Sequence, residues 1–263
     1  MPRHRWRRSV VAQIASAFVD HHLLTYAAAI AFQALIAAVP LTLFALGLLG
    51  ATGHREMWTE HVAPTLRGRL TLPVFDGIDS TVRRILDHGT AGLIAVSVAL
   101  SLWYLTAAMR AVIEALDQIH DVKDTRSWKE RAVTAVTLGA FSGACLFAAA
   151  AIVVGGPRGI PLGIVRWAAG LLLVAFVVTM LLRFAPAQQP DTGWASFGGA
   201  LIVGSWMVAS VLFGLWIRYV ANFKTPVGTL TTLLIVTSYV FTSSVAFLAG
   251  AQLNELLRKT RSG

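Results

Sequence analysis

The chain has 263 residues, of which 56% are hydrophobic and 13% charged, with a formal net charge of +9. Soluble domains carry about a quarter charged residues, and a soluble core of this length has too little interior to hide so much apolar surface. An ordinary soluble domain is therefore excluded, and lipid is the solvent that the composition fits.

Asp, Glu, Lys and Arg are absent from six long stretches: His21 to His54, His88 to Met109, Ala132 to Pro157, Trp167 to Leu182, Thr192 to Ile217 and Thr225 to Asn254. A spanning helix needs about 20 mainly apolar residues. The fourth stretch is the shortest, but Ile164 and Val165 lengthen it, and Arg166 can snorkel from its end. The runs are continuous rather than alternating, which excludes a membrane barrel. The expected fold is an all-α membrane protein, a six-transmembrane-helix bundle in a single integral membrane domain over residues 1–263. Its spans fall near 25–50, 90–110, 132–154, 164–182, 196–217 and 229–253.

Residues 1–22 read as an interfacial amphipathic segment. Trp6, Val10, Ile14, Ala17 and Phe18 share one helical face, while Arg5, Arg8, Gln13, Ser16 and Asp20 lie elsewhere. A basic helix with an aromatic anchor suits the headgroup layer; packing on the bundle is an equal alternative. The apolar run from Leu23 to Gly50 is about twice the length of a signal-peptide core, so it is expected to stay as the first span. Within it, Pro40 cannot donate to the carbonyl of Ile36, and a kink is expected there. A kinked helix beside Gln33 could line a cavity, or the kink could only serve packing.

The segment from Ala51 to Asp87 is too long for a simple turn. Val74, Ile78, Val82, Ile85 and Leu86, with Asp79, Arg83 and Arg84 between them, give an amphipathic helix after Pro73. It could cover an external opening or pack on the bundle.

Arg110 ends the second apolar run, and Glu114 follows at i+4, where the two can pair. That face continues to Asp117, Asp121 and Asp124, with His120 beside it. Such a set could ligate a divalent metal; the preferred reading is a solvated face balanced by Lys123, Arg126, Lys129 and Arg131. Arg110 stands apart at the mouth of a span, where a guanidinium can hold a phosphate or carboxylate bidentately. Gly139 and Gly143 form a small-xxx-small pair suited to close helix contact. The single cysteine, Cys145, excludes an intramolecular disulfide.

A six-span path puts thirteen of the 22 Lys and Arg on the side of the termini and nine on the other. By the positive-inside rule both termini are expected in the cytoplasm. The basic balance is explained by topology and anionic lipid, so no nucleic-acid partner is expected. No His-Glu-x-x-His helix, Gly-Lys-Ser phosphate loop or Gly-x-Ser-x-Gly elbow is present, so no enzyme, cofactor or resident metal is expected.

Four patches occur in order: Tyr26 to Leu35 running on to Pro40 and Leu41; Trp103 through Asp117, then Arg126 to Arg131; Arg183-Phe184-Ala185-Pro186 with Gly199-Ala200; and Tyr219, Gly228 and Gly250 to Asn254. With six spans and a long first external loop, the chain resembles the YihY/BrkB family of bacterial inner-membrane proteins over about Phe18 to Leu257. Some members carry the old label ribonuclease BN. Three positions depart from that pattern: Gln33 replaces an aromatic residue, Asp117 an Asn and Gln252 a Glu. The resemblance implies a bacterial plasma-membrane protein that moves molecules or lipids across the membrane. The function expected is a transporter or flippase-like protein for an amphipathic, anionic envelope molecule or lipid. Gln33, Pro40, Arg110, Glu114 and Asn254 are its candidate substrate path. Membrane lipids and envelope proteins are the expected partners. The alternative is a membrane scaffold for envelope enzymes.

Overall fold

A computed structural model describes residues 10–68, 70–88, 91–122, 124–155, 160–187, 192–219 and 225–261. Arg3 to Arg8, Trp6 and Lys123 lie outside the described residues. The first helix, α1, runs Val10–Asp20 and packs on α2 (Leu23–Ala51). His22, in the left-handed region at φ 51°, turns the chain between them. A π-helical turn (Met57–Val62), α3 (Ala63–Arg67) and α4 (Leu72–His88) follow. Then come α5 (Ala91–Ile119), α6 (Trp128–Gly155), α7 (Ile160–Phe184), α8 (Thr192–Tyr219) and α9 (Pro226–Arg261).

No strand occurs among the described residues. Six helices, α2 and α5 to α9, are long and apolar enough to cross a membrane. The chain is thus an all-α membrane protein with six apolar spans. Each span packs on the next in sequence and α9 returns to α2, so the six close a ring: α2, α5, α6, α7, α8, α9. Gly47 near the end of α2 lies against Ile94 near the start of α5, so these two run antiparallel, and short connections make the later consecutive spans antiparallel as well. The α1–α2, α5–α6 and α7–α8 connections and the end of α9 therefore share one end, called here the terminus-bearing end.

Local signals set several boundaries. Ser127 and Glu130 cap α6 reciprocally, the Ser127 N–H donating to Glu130 Oε2 at 2.8 Å and the Glu130 N–H to Ser127 Oγ at 3.3 Å. Thr225 Oγ1 accepts from the Gly228 N–H at the start of α9, behind Pro226. Asp121 ends α5 in a left-handed cap at φ 54°, with the Val122 N–H donating to Asp117 O and the Asp121 N–H to Gln118 O.

Two boundaries differ from the sequence expectation. Charge placed span edges at 110 and 253, whereas α5 continues nine residues past Arg110 and α9 reaches Arg261. Lipid thickness limits the apolar run, not the helix; beyond it, polar side chains that find partners continue the same ladder. At Pro40 the helix is unbroken, and the proline is buried.

The main core sits at the terminus-bearing end. Leu23 and Ala27 meet Met109, Ile113 and Leu116, Val178 and Leu182, Ile202, and Phe247, Leu248 and Ala251. Phe18 of α1 packs against it, so this helix is a bundle element on that face. Gly139 and Gly143 admit α5: a Cβ on the first would stand 3.2 Å from the Leu105 backbone, and one on the second 2.7 Å from its side chain. At the far end a smaller cluster joins Trp58, Ala63, Phe75, Val82 and Leu86 to Leu46 and Leu49 of α2. The expected helix after Pro73 is present, with a shifted buried stripe: Phe75, Val82 and Leu86 are inside, and Val74 and Ile78 are exposed.

Candidate functional site

A cleft of about 1110 Å³ opens at the terminus-bearing end. Tyr26 of α2 borders it on one side, and Trp128, Arg131 and Ala132 of α6 on the other. Its wall is the face of α5 that carries Arg110, Ile113, Glu114, Asp117, Gln118 and Asp121, continued by Val122, Asp124 and Arg126. The helical period puts these α5 residues together, since positions three, four and seven apart share a face.

The acidic stripe is not the solvated surface that its composition suggested. Asp117 is 7% exposed, and its Oδ1 accepts the Ala187 N–H at 2.8 Å from the α7–α8 connection. Arg126 lies 3.7 Å from Asp117 Oδ2, donates to Asp124 Oδ1 at 3.0 Å and reaches the Ala185 carbonyl at 3.3 Å. Arg131 donates to Asp124 Oδ2 at 2.7 Å. Burial alone would raise the Asp124 carboxyl, but hydrogen bonds from the Arg126 side chain and backbone, and the nearby Arg131 charge, hold it below the ordinary carboxylate range. Asp121, at the end of the same face, accepts from Lys259 Nζ at 2.8 Å, which holds its carboxyl low. His120 points its Nδ1 at the Leu116 carbonyl and its Nε2 toward Glu255, 3.8 Å away. These groups are shared out among different partners, and no set of three His, Cys, Asp or Glu able to hold a metal occurs among the described residues.

Glu255 is the residue that sequence reasoning missed. It is 1% exposed, takes two hydrogen bonds from Arg258 at 2.8 and 2.7 Å, and lies 3.6 Å from Lys259. Its i+3 and i+4 spacing to two cations was the available signal. Together these pairs tie the α5–α6 connection to α9 and to the α7–α8 connection.

Arg110 and Glu114 differ from all of these. Both are exposed, both line the cleft, and neither makes an ion pair with any described residue. The pairing expected between them is absent. The order explains it: an acid followed by a base at i+4 pairs well on a helix, and here the base comes first.

The remaining candidates lie outside the cleft lining. Gln33 is half-buried in α2 and Pro40 is buried seven residues on. Asn254 Oδ1 accepts the Gly198 N–H at 2.9 Å and so clamps α8 to α9. A Cβ on Gly198 would collide with the Asn254 side chain. Gln252 is buried beside it, with Oε1 lacking a partner among the described residues.

The family model described as Virulence factor BrkB matches residues 14–263. The ribonuclease-like protein YfkH of Bacillus subtilis is 21% identical over 268 residues, covering 96% of this chain and 96% of that protein. A UPF0761 membrane protein of Stenotrophomonas maltophilia is 26% identical over 259 residues, covering 93% of this chain, and its counterpart in a second strain matches equally. The chain spans 59% of the length of those two proteins. No solved structure matches it. A match over nearly the whole chain, on a helix ring with six apolar spans, places this chain in the YihY/BrkB family of membrane proteins.

Proposed function

We propose that the protein is a transporter or flippase-like carrier of an amphipathic, anionic envelope molecule or lipid in the bacterial plasma membrane, and not an enzyme. The terminus-bearing end faces the cytoplasm, because it carries the larger share of Lys and Arg. The observation that carries the reading is Arg110, an exposed guanidinium with no acidic partner among the described residues, in a cleft walled by tyrosine and tryptophan. From Ala91, about 30 Å of hydrocarbon is crossed at ~1.5 Å per residue after about twenty residues, which brings the chain to Arg110. An exposed guanidinium at that edge, without a protein partner among the described residues, is placed to receive an anionic headgroup.

In this conformation the main core and its ion pairs fill the terminus-bearing end beside the cleft, and that packing is taken as the seal on the path. Passage of a headgroup requires that seal to part. A second reading, a membrane scaffold that transports nothing, draws support from the same seal: the cleft lining includes neither Gln33 nor Asn254. Reconstitution into liposomes decides between them. Headgroup-labelled anionic lipid should move between leaflets faster than in empty vesicles, and Arg110→Ala should slow it about tenfold or more. No movement above empty vesicles for lipid or for soluble anionic amphipaths favours the scaffold.

A further inference from the structure

Arg110 and Glu114 leave a cation and an anion side by side, both exposed and both unpaired among the described residues, in one cleft. Side chains four apart on a helix stand about 5–6 Å from each other at Cβ. Arg110 lies at the edge of the hydrocarbon and Glu114 one turn closer to water. Every other carboxylate lining the cleft is engaged: Asp117 by Ala187 and Arg126, Asp121 by Lys259, and Asp124 by Arg126 and Arg131. Arg126 and Arg131 are engaged in return. Among its described residues the cleft therefore offers one unpaired positive and one unpaired negative group, in fixed order along the helix.

Below Arg110 the same α5 face is apolar and exposed. Trp103 stands seven residues earlier and is 73% exposed, and Val96 stands seven earlier again and is 58% exposed. With Ala99 between them, they form a track running from the cleft into the hydrocarbon depth. An acyl chain fits that track, and a freely soluble ligand has no use for it.

We propose that the cleft binds a phospholipid with a primary ammonium beside its phosphate, a phosphoethanolamine headgroup, with the phosphate on Arg110, the ammonium on Glu114 and an acyl chain along Ala99, Trp103 and Val96. The inference rests on the carrier reading for its purpose and narrows it: the anionic group that Arg110 receives is the phosphate, and the ammonium beside it makes the preferred headgroup zwitterionic. The geometry alone supplies the binding. A guanidinium matches a phosphate bidentately, and a carboxylate one turn nearer water meets an ammonium two carbons away. A lipid with an uncharged glycerol headgroup would still place its phosphate on Arg110 but would leave Glu114 with no ammonium to meet.

Native mass spectrometry tests this without any transport step. The full chain in nanodiscs made from equal amounts of phosphatidylethanolamine and phosphatidylglycerol, with identical acyl chains, is released and its retained lipids counted. The wild type should retain phosphatidylethanolamine in about threefold excess. Glu114→Gln should remove that preference while keeping total lipid, and Arg110→Ala should lower retention of both. Trp103→Ala should lower retention without changing the ratio. Soluble glycerophosphoethanolamine at the same concentration should displace neither lipid. A wild-type ratio near one, or a ratio untouched by Glu114→Gln, would overturn the headgroup assignment. Displacement by glycerophosphoethanolamine would overturn the lipid and leave a soluble ligand of the same chemistry. Retention is read separately from leaflet-to-leaflet movement, so a protein that binds this lipid and moves none would refute only the carrier reading.

Discussion

The two ends of the bundle are built differently. At the terminus-bearing end, all six spans contribute to one apolar core, and around it the carboxylates of Asp117, Asp124 and Glu255 are buried while their arginines reach toward water. At the far end α8 and α9 remain a hairpin with exposed surfaces. Ser210 Oγ and Tyr239 OH are 2.8 Å apart and Phe213 stacks on Tyr239, while Leu212 and Leu234 are more than 60% exposed. The lesson is that apolarity does not decide where a membrane bundle is tight. Lipid solvates leucine as well as a protein core does. Buried carboxylates with cation partners do decide, and they are concentrated at one end, whereas close helix approach is used at both, at Gly198 and Gly250 there and at Gly50 against Leu86 at the other.

Removing an ion from the tight end should have the largest effect. Asp124→Ala leaves the partly exposed Arg126 and Arg131 without their shared carboxylate and should cost about 1.5–3 kcal/mol, read as a fall in melting temperature in detergent. Next come the glycines. Gly250→Ala would force a Cβ into Ile202 at the α8–α9 contact and should cost about 1–3 kcal/mol. Gly214 is on α8 in the loose half, with open space around it, and Gly214→Ala should raise stability by about 0.5–1 kcal/mol. Opposite signs from one substitution on two packed helices would sharpen the contrast; equal signs would break it.

Acid should act on the same end. The Asp124 and Asp121 carboxyls are held below their ordinary value of 3.8 in the folded protein. Their stabilisation is therefore complete above that value and is lost as pH falls through the lowered ones. Melting temperature should stay level from neutral pH to about 5 and drop below about 4, and Asp124→Asn should flatten much of that drop. At the far end, Asp79 accepts from Arg83 and from the Trp58 indole, which hold its carboxyl low. Trp58→Phe removes one such bond and should cost only about 0.5–1.5 kcal/mol, with lipid retention unchanged.

Much of this was readable beforehand. Six charge-free stretches are a direct record of hydrocarbon thickness, so span number and order followed from residue types alone. Arg110 was visible because a cation at the end of an apolar run is costly without a purpose. The seal was not visible as such. Asp117 to Asp124 and Arg126 to Arg131 look like a balanced polar surface in sequence, and only the return of Ala185 to Ala187 and of α9 buries them. Glu255 was hidden for the same reason: His120, which faces it, is distant in sequence. Asn254 read as a path residue because a polar group near a span end invites that role; its partner, the Gly198 amide, belongs to another helix.

The central claim is that a headgroup bound at Arg110 passes only when the sealed end parts. Asp121 and Lys259 form the most exposed pair in that seal, joining the α5–α6 connection to α9. Such a pair contributes about 0.5–1 kcal/mol, so its loss leaves the fold intact and lowers the opening barrier by at most that amount. Lipid movement in reconstituted vesicles should therefore be about two- to fivefold faster in Asp121→Asn than in wild type. An unchanged or slower rate, with wild-type movement well above empty vesicles, would contradict the claim that this end is the gate.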